Sequence, residues 1–158
     1  MHIKFLKHGS GSCAGAAKYL TQAKDHSGEE REAVEILRGD PHQVAAVADS
    51  LDFDLKYRSA VIAWAPEDQP TAEQVDAVLN DFSGVAFAGM QDRVSWSAVK
   101  HDEANGACHV HVICARVDLK TGKSFNPAPP GWPKHFDSIR DSHNAAHNWA
   151  RPDDPARA

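Results

Sequence analysis

Apolar and polar positions along the chain recur with two different periods, and the change of period marks out the elements. His2–His8 mixes Ile3, Phe5 and Leu6 with lysines and reads as a strand. The turn Gly9-Ser10-Gly11-Ser12 offers a helix cap at Ser10 or Ser12, and the Ala-rich stretch from Cys13 to Ala23, which holds Tyr19 and Leu20, reads as a helix. Gly39-Asp40-Pro41 is a sharp helix start, with Asp40 as N-cap, Pro41 at the first helical position and Gln43 three residues after the cap. Val44, Val47, Ala48 and Leu51 give that helix an apolar stripe.

Tyr57 to Ala65, with Val61, Ile62 and Trp64, reads as a buried strand stopped by Pro66. Thr71 followed by Gln74 is a capping box, and it opens a helix with Val75, Val78, Leu79 and Phe82 on one face. Arg93–His101 and Cys108–Leu119 are strand-like runs around an Asn105-Gly106 turn, which predicts a hairpin. The proline-rich segment Asn126 to Lys134 reads as loop, and Phe136–Trp149 as a last helix closed by Pro152. The order β-α-α-β-α-β-β-α predicts an α+β fold, a mainly antiparallel central sheet with helices packed over one face.

The length of 158 residues suits one domain, read here as residues 1–150 with a polar tail at 151–158. No apolar run is long enough for a membrane span, and Met1 to Lys7 is too short and too charged for a secretory signal. Three cysteines (Cys13, Cys108, Cys114) without a Cys-x-x-Cys pair fit a reducing cytoplasm. The net charge of −5 counts mildly against a generic nucleic-acid binder. The excess is local, however: Asp25, Glu29, Glu30, Glu32 and Glu35 face Arg31 alone, as a solvated charge run would.

Among ten histidines, one cluster carries chemistry: His101 and the pair His109-Val110-His111. On a strand His109 and His111 project from one face about 7 Å apart, a spacing that lets two imidazoles converge on one ion. An exposed structural pair would look the same, so the third histidine decides. If Trp96 and Val110 share a helix-covered core, His101 lies on the face of His109 and His111. A strict two-residue turn at Asn105-Gly106 would pair Asp102 with His109 and turn His101 away. The metal reading therefore demands an odd-length loop or a bulge. Three neutral imidazoles leave coordination positions open, as a catalytic site requires; they suit Mn, Zn, Ni or Co more naturally than Mg. Asp102 and Glu103 are candidates to orient a ligand. His143 and His147, at i and i+4 on the last helix, have the spacing of zinc proteases, but Asn144 stands where the catalytic glutamate would be.

These residues carry a resemblance. Lys4-Phe5, Gly9, Gly11 and Tyr19-Leu20, then Leu37-Arg38-Gly39-Asp40-Pro41 and Lys56 to Val61, resemble the early and middle motifs of the plasmid mobilisation relaxases. His101 to His111 and the tract Arg116-Val117-Asp118-Leu119-Lys120-Thr121-Gly122-Lys123 resemble that family's metal motif and its sequel. The likeness covers nearly the whole chain and is greatest to relaxases of small mobilisable plasmids. One branch of these carries Glu and Asn in place of the second and third histidines; this chain has histidine at both.

The resemblance implies a ferredoxin- or RRM-like relaxase core and a divalent metal (Mn or Mg in function, with Zn, Ni or Co as substitutes) held by His101, His109 and His111. It implies strand-specific nicking of single-stranded DNA at a plasmid transfer origin, through a 5′-phosphotyrosyl bond formed by Tyr19. Accessory mobilisation proteins are implied as partners, and a cytoplasmic location. Family members usually continue well past residue 158, which implies a catalytic portion or a small relative. Asp102 is the candidate base or orienter. Lys4, Lys18, Arg58, Arg116, Lys120 and Lys123 are candidate phosphate contacts by residue type, and Trp96, Trp132 and Trp149 candidate base-stacking rings. A rolling-circle replication initiator would share the chemistry, whereas a single-stranded nucleic-acid-binding module would need neither metal nor Tyr19.

Overall fold

The computed structural model describes residues 1–7, 9–24, 26–30 and 33–157. His8 of the first expected strand, and Asp25, Arg31 and Glu32 of the acidic run, lie outside the described residues. The strands are β1 (His2–Phe5), β2 (Ala33–Arg38), β3 (Tyr57–Trp64), β4 (Trp96–Asp102) and β5 (Cys108–Ala115). The helices are α1 (Cys13–Thr21), α2 (Pro41–Asp49), α3 (Ala72–Ala86) and α4 (Trp132–His147). The strands form one sheet in the order β1-β3-β5-β4-β2, with every neighbouring pair antiparallel. No helix among the described residues is long and apolar enough to cross a membrane.

Three features depart from expectation. Helices cover both faces of the sheet, and β2 is a strand that the periodicity did not reveal. β2 is an edge strand paired only with β4, interrupted by a bulge between Ile36 and Arg38, and its Ile36 is exposed. A strand wet on one edge has no need of continuous apolar patterning, so Ala33-Val34-Glu35 blends into the acidic run that precedes it. α4 also begins earlier than expected, because Pro133 occupies its first turn, where a missing N–H costs nothing.

The alternation on β3 shows how unequal the two faces are. Arg58, Ala60, Ile62 and Trp64 are buried, while Tyr57, Ser59, Val61 and Ala63 are only half-buried. The buried side packs on α3 and α4 with Ile3, Phe5, Ala98, Val110, Val112 and Cys114. There Phe5 contacts Phe82, Phe136 and Trp132 at ring-centroid distances of 5.7, 5.1 and 5.3 Å. The other face carries a smaller core, in which Cys13, Ala17 and Leu20 of α1 and Val44, Ala45 and Ala48 of α2 sit on Val99, Ile113 and Ala115. This second layer leaves the β1–β3 side of its face uncovered, with Lys4 exposed.

α1 is held at its start by α2. Ser12 caps it through Ala14 N–H (3.2 Å), and Asp49 accepts from Cys13 N–H (2.7 Å), Ala14 N–H (3.2 Å) and the Ser12 hydroxyl (3.0 Å). The Cys13 amide, helped by the Ser12 hydroxyl, holds the Asp49 carboxyl below its ordinary value. α2 enters from β2 through Gly39, whose φ of +59° and 2.3 Å approach of a would-be Cβ to the Trp96 carbonyl both demand glycine.

Gly39→Ala is therefore expected to lower stability by roughly 2 kcal/mol or more, read as a lower urea midpoint at unchanged m-value; an unmoved midpoint would contradict the close approach. Asp49→Ala is expected to cost about 1 kcal/mol as a lost helix cap. A depressed carboxyl stabilises above its unfolded value and loses that contribution as pH falls through its folded value. The difference between wild type and Asp49→Ala in thermal unfolding should thus be full at neutral pH and shrink below about pH 4; a gap that widens on acidification would refute the assignment.

Candidate metal and nucleophile site

The β4–β5 hairpin sets the geometry. His101 stands opposite His109 and Val99 opposite His111, so all three imidazoles share the face that α1 and α2 partly cover. The odd-length loop that this requires is present. Glu103 N–H donates to the Ala107 carbonyl (2.9 Å) and Gly106 N–H to the Glu103 carbonyl (2.9 Å), with Gly106 at φ +88°. This is a three-residue loop, a turn followed by a left-handed glycine, and not the two-residue turn that Asn-Gly alone suggests. Asn105 contributes through its side chain, which accepts from Ala107 N–H at 2.9 Å.

His101 is fully buried, and its Nε2 donates to the Leu20 carbonyl at 2.6 Å. A carbonyl can only accept, so Nε2 carries the proton and the lone pair of the neutral ring sits on Nδ1. The His101 and His111 ring centroids lie 4.8 Å apart, and those of His109 and His111 6.2 Å. His109 Nδ1 is 3.8 Å from Glu103 Oε1. All-imidazole donors on one face fit a divalent transition-metal ion in chemistry. Among the described residues, however, no three His, Cys, Asp or Glu side chains present their ligating atoms to a common point. Gathering the rings around an ion at about 2.0–2.1 Å requires at least one imidazole to rotate.

Tyr19 completes the picture. It lies on α1 immediately before Leu20, and it lines a cleft of about 340 Å³ together with His109, His111, Glu103, His26, Glu29 and Glu30. Three carboxylates beside three imidazoles make a cleft that attracts a cation. Glu29 and Glu30, read from sequence as solvated charge, are part of its wall; only their place just after α1 could have hinted at it. The Leu20 carbonyl, a backbone atom, left no signal at all.

Tyr57 does not line this cleft. It pairs with Ala115, at the opposite end of β3 from Ala63 and Val61, which face His109 and His111. Its ring fills the space over Gly9, where a Cβ would fall 2.1 Å from it, and burial raises its hydroxyl's pKa.

Other expected site residues fall elsewhere. Asp102 pairs with Cys108, so it points through the opposite face, where Lys100 Nζ lies 3.4 Å from it; it cannot serve the histidines as base or orienter. Arg58 and Arg116 are 7% and 8% exposed on the α3/α4 side, and burial lowers the pKa of both guanidinium groups. Arg58 stacks 5.6 Å over Phe5, and Arg116 Nε donates to the Phe125 carbonyl at 3.3 Å, so both are built into the packing on that side of the sheet.

Lys120 and Lys123 are exposed in the turn beyond β5, roughly 20 Å or more along the strand from His111. That turn is built on Asp118, which accepts from Arg93, from Lys120 N–H (2.9 Å) and from the Thr121 hydroxyl (3.0 Å). Lys4 stands on the site face opposite Val61, which in turn pairs with His111, and Lys18 is exposed next to Tyr19. Trp96, Trp132 and Trp149 pack against Phe87, Phe5 and Trp64. His143 bonds Asp81 at 2.7 Å and His147 approaches Gln74 at 3.2 Å, joining α4 to α3 far from the cleft.

Comparison with known proteins identifies the family. Residues 19–149 match the family model of the MobA/VirD2-like relaxase nuclease domain. The chain is 31% identical over 162 residues to cryptic plasmid protein C of Neisseria gonorrhoeae, covering 99% of this chain and 75% of that protein. It is 27% identical over 128 residues to DNA relaxase MbeA of Escherichia coli, covering 80% of this chain but 24% of the relative. In fold it is similar to a solved structure described as the molecular basis of vancomycin resistance transfer in Staphylococcus aureus, with a TM-score of 0.55, 15% identity and 95% of each chain covered. A match reaching from the cleft tyrosine through the hairpin to the end of the last helix, with a relative above 30% identity over nearly the full chain, places this protein in the relaxase family, in its MobA/VirD2-like nuclease domain.

Proposed function

We propose that this chain nicks one strand of DNA at a plasmid transfer origin by transesterification, with Tyr19 as nucleophile. The observation that carries the reading is that Tyr19 lines the same cleft as His109 and His111 while Tyr57 lies at the far end of its strand. The Tyr19 oxygen forms a bond to the scissile phosphorus, the phosphorus–O3′ bond breaks, and a 5′-phosphotyrosyl bond and a free 3′-hydroxyl result. The phenolic proton passes to an acceptor in the cleft, for which Glu29, Glu30, Glu103 and His26 are the groups present, and the departing O3′ takes up a proton. Reversal of the same steps reseals the strand.

His101, His109 and His111 would hold a divalent cation, Mn or Mg in function, whose chemistry when bound is to neutralise charge on the phosphoryl oxygens. Lys4 and Lys18 flank the open side of the site face and are the cations placed to meet phosphates. Lys120 and Lys123 would reach only a strand that runs the length of the sheet. Residues 1–150 act as the catalytic unit in the cytoplasm, and accessory mobilisation proteins would assist on the origin.

Incubation with labelled single-stranded origin DNA and Mn, followed by denaturing electrophoresis, should show a covalent protein–DNA band. Tyr19→Phe should bind the oligonucleotide yet give no band, and Tyr57→Phe should keep it; a band surviving in Tyr19→Phe would move the role elsewhere. EDTA should abolish the band in wild type. Lys4→Ala should weaken binding and reduce the slope of log affinity against log salt by about 0.7, the share of one phosphate contact on a single strand; an unchanged slope would remove Lys4 from the interface.

A further inference from the structure

We infer that Glu103 is the positioning residue for His109, fixing which of its ring nitrogens faces the cleft. The inference rests on the proposed function only for the identity of His109 as a ligand; the orientation itself is a property of the chain. Alternation along β4 continues into the loop, so Glu103 falls on the face of His101, and Asp102 on the reverse with Lys100. The Glu103–Ala107 backbone bond anchors that placement, at 2.9 Å. Glu103 lines the Tyr19 cleft and is largely shielded, its side chain 19% exposed. Its Oε1 lies 3.8 Å from His109 Nδ1, so the carboxylate stands on the Nδ1 side of the ring. A carboxylate only accepts, so the neutral ring carries its proton on Nδ1 and turns the Nε2 lone pair outward. Of the two adjacent carboxylates at the loop, one orients the site and its neighbour belongs to the other face of the sheet.

The test compares the full chain with Glu103→Ala, the near-isosteric Glu103→Gln and the conservative Glu103→Asp. Long-range nitrogen-15 NMR, at a pH where His109 is neutral and without metal, reads the tautomer directly. Wild type should show the Nδ1–H form, Glu103→Ala should shift toward Nε2–H, and Glu103→Asp should restore Nδ1–H. Mn titration followed by calorimetry should show affinity about 10- to 100-fold weaker in Glu103→Ala, with the unfolding midpoint of the apo-protein unchanged. Glu103→Gln should fall between them, since its amide oxygen still accepts but carries no charge. An unchanged His109 tautomer in both Glu103→Ala and Glu103→Gln overturns the inference. Wild type that binds no Mn, together with a Glu103-dependent tautomer, supports the positioning role and sinks the three-histidine reading instead.

Discussion

The register of one hairpin governs everything else in this protein. Side chains on a strand alternate faces, so a loop between β4 and β5 with one residue fewer or more would send His101 to the side opposite His109 and His111. The three-residue loop, closed by Gly106 in the left-handed region, is what prevents this. The same register sends Asp102 through the sheet to Lys100 and keeps Glu103 in the cleft. It also aligns Ala98, Val110 and Val112 toward α3 and α4, so a slip would expose a dry core at the moment it dispersed the site. The hydrophobic effect thereby enforces a register that the site itself could not pay to maintain.

The two faces of the sheet divide the labour. The α3/α4 face is packed with aromatics, and aromatic pairs add about 0.5–1.5 kcal/mol each beyond the area they bury. Arg58 and Arg116 are drawn into that packing through their stems and planar heads, and their pKa values fall with the loss of solvent. The opposite face is roofed by two short helices over β4 and β5 and left open toward β1. That opening exposes Lys4 and half-exposes Val61 and Ala63, the strip an incoming strand would cover on its way to His111. Net negative charge is no obstacle to such a binder, because Glu29, Glu30 and Glu103 stand at the cation-attracting cleft and the lysines stand beside it.

Much of this was legible in the sequence wherever local chemistry decides structure. The Asp40-Pro41 start, the Thr71–Gln74 capping box and the strand ending before Pro66 all stand where their residues imply. The odd loop followed from a parity argument on Trp96, Val110 and the histidines. What escaped depends on long-range pairing. β2 is held by β4 on one edge only and so carries mixed polarity; charge type could not tell a phosphate contact from a core residue, and Arg58 and Arg116 prove to be the latter. Both faces of β5 are buried beyond His111, Val112 to Ala115, which is the pattern of a sheet with helices on both sides. That run was the available sign that a one-sided roof was too simple.

The link between Tyr19, the proposed nucleophile, and the histidines runs through α1. A helix of nine residues has little stability of its own, so its position must be imposed from outside. Its first turn is fastened to α2 by Asp49, and its last turn to β4 by the bond from His101 to the Leu20 carbonyl. Leu20 is adjacent to Tyr19, so the phenol is indexed to the sheet within one residue of its own backbone. Displacements of about an ångström can cost a hundredfold in rate, and a fastening this near the proposed reacting group is the place where they are best suppressed. His101 is the most buried of the three histidines, and one of its ring nitrogens holds the helix that carries Tyr19.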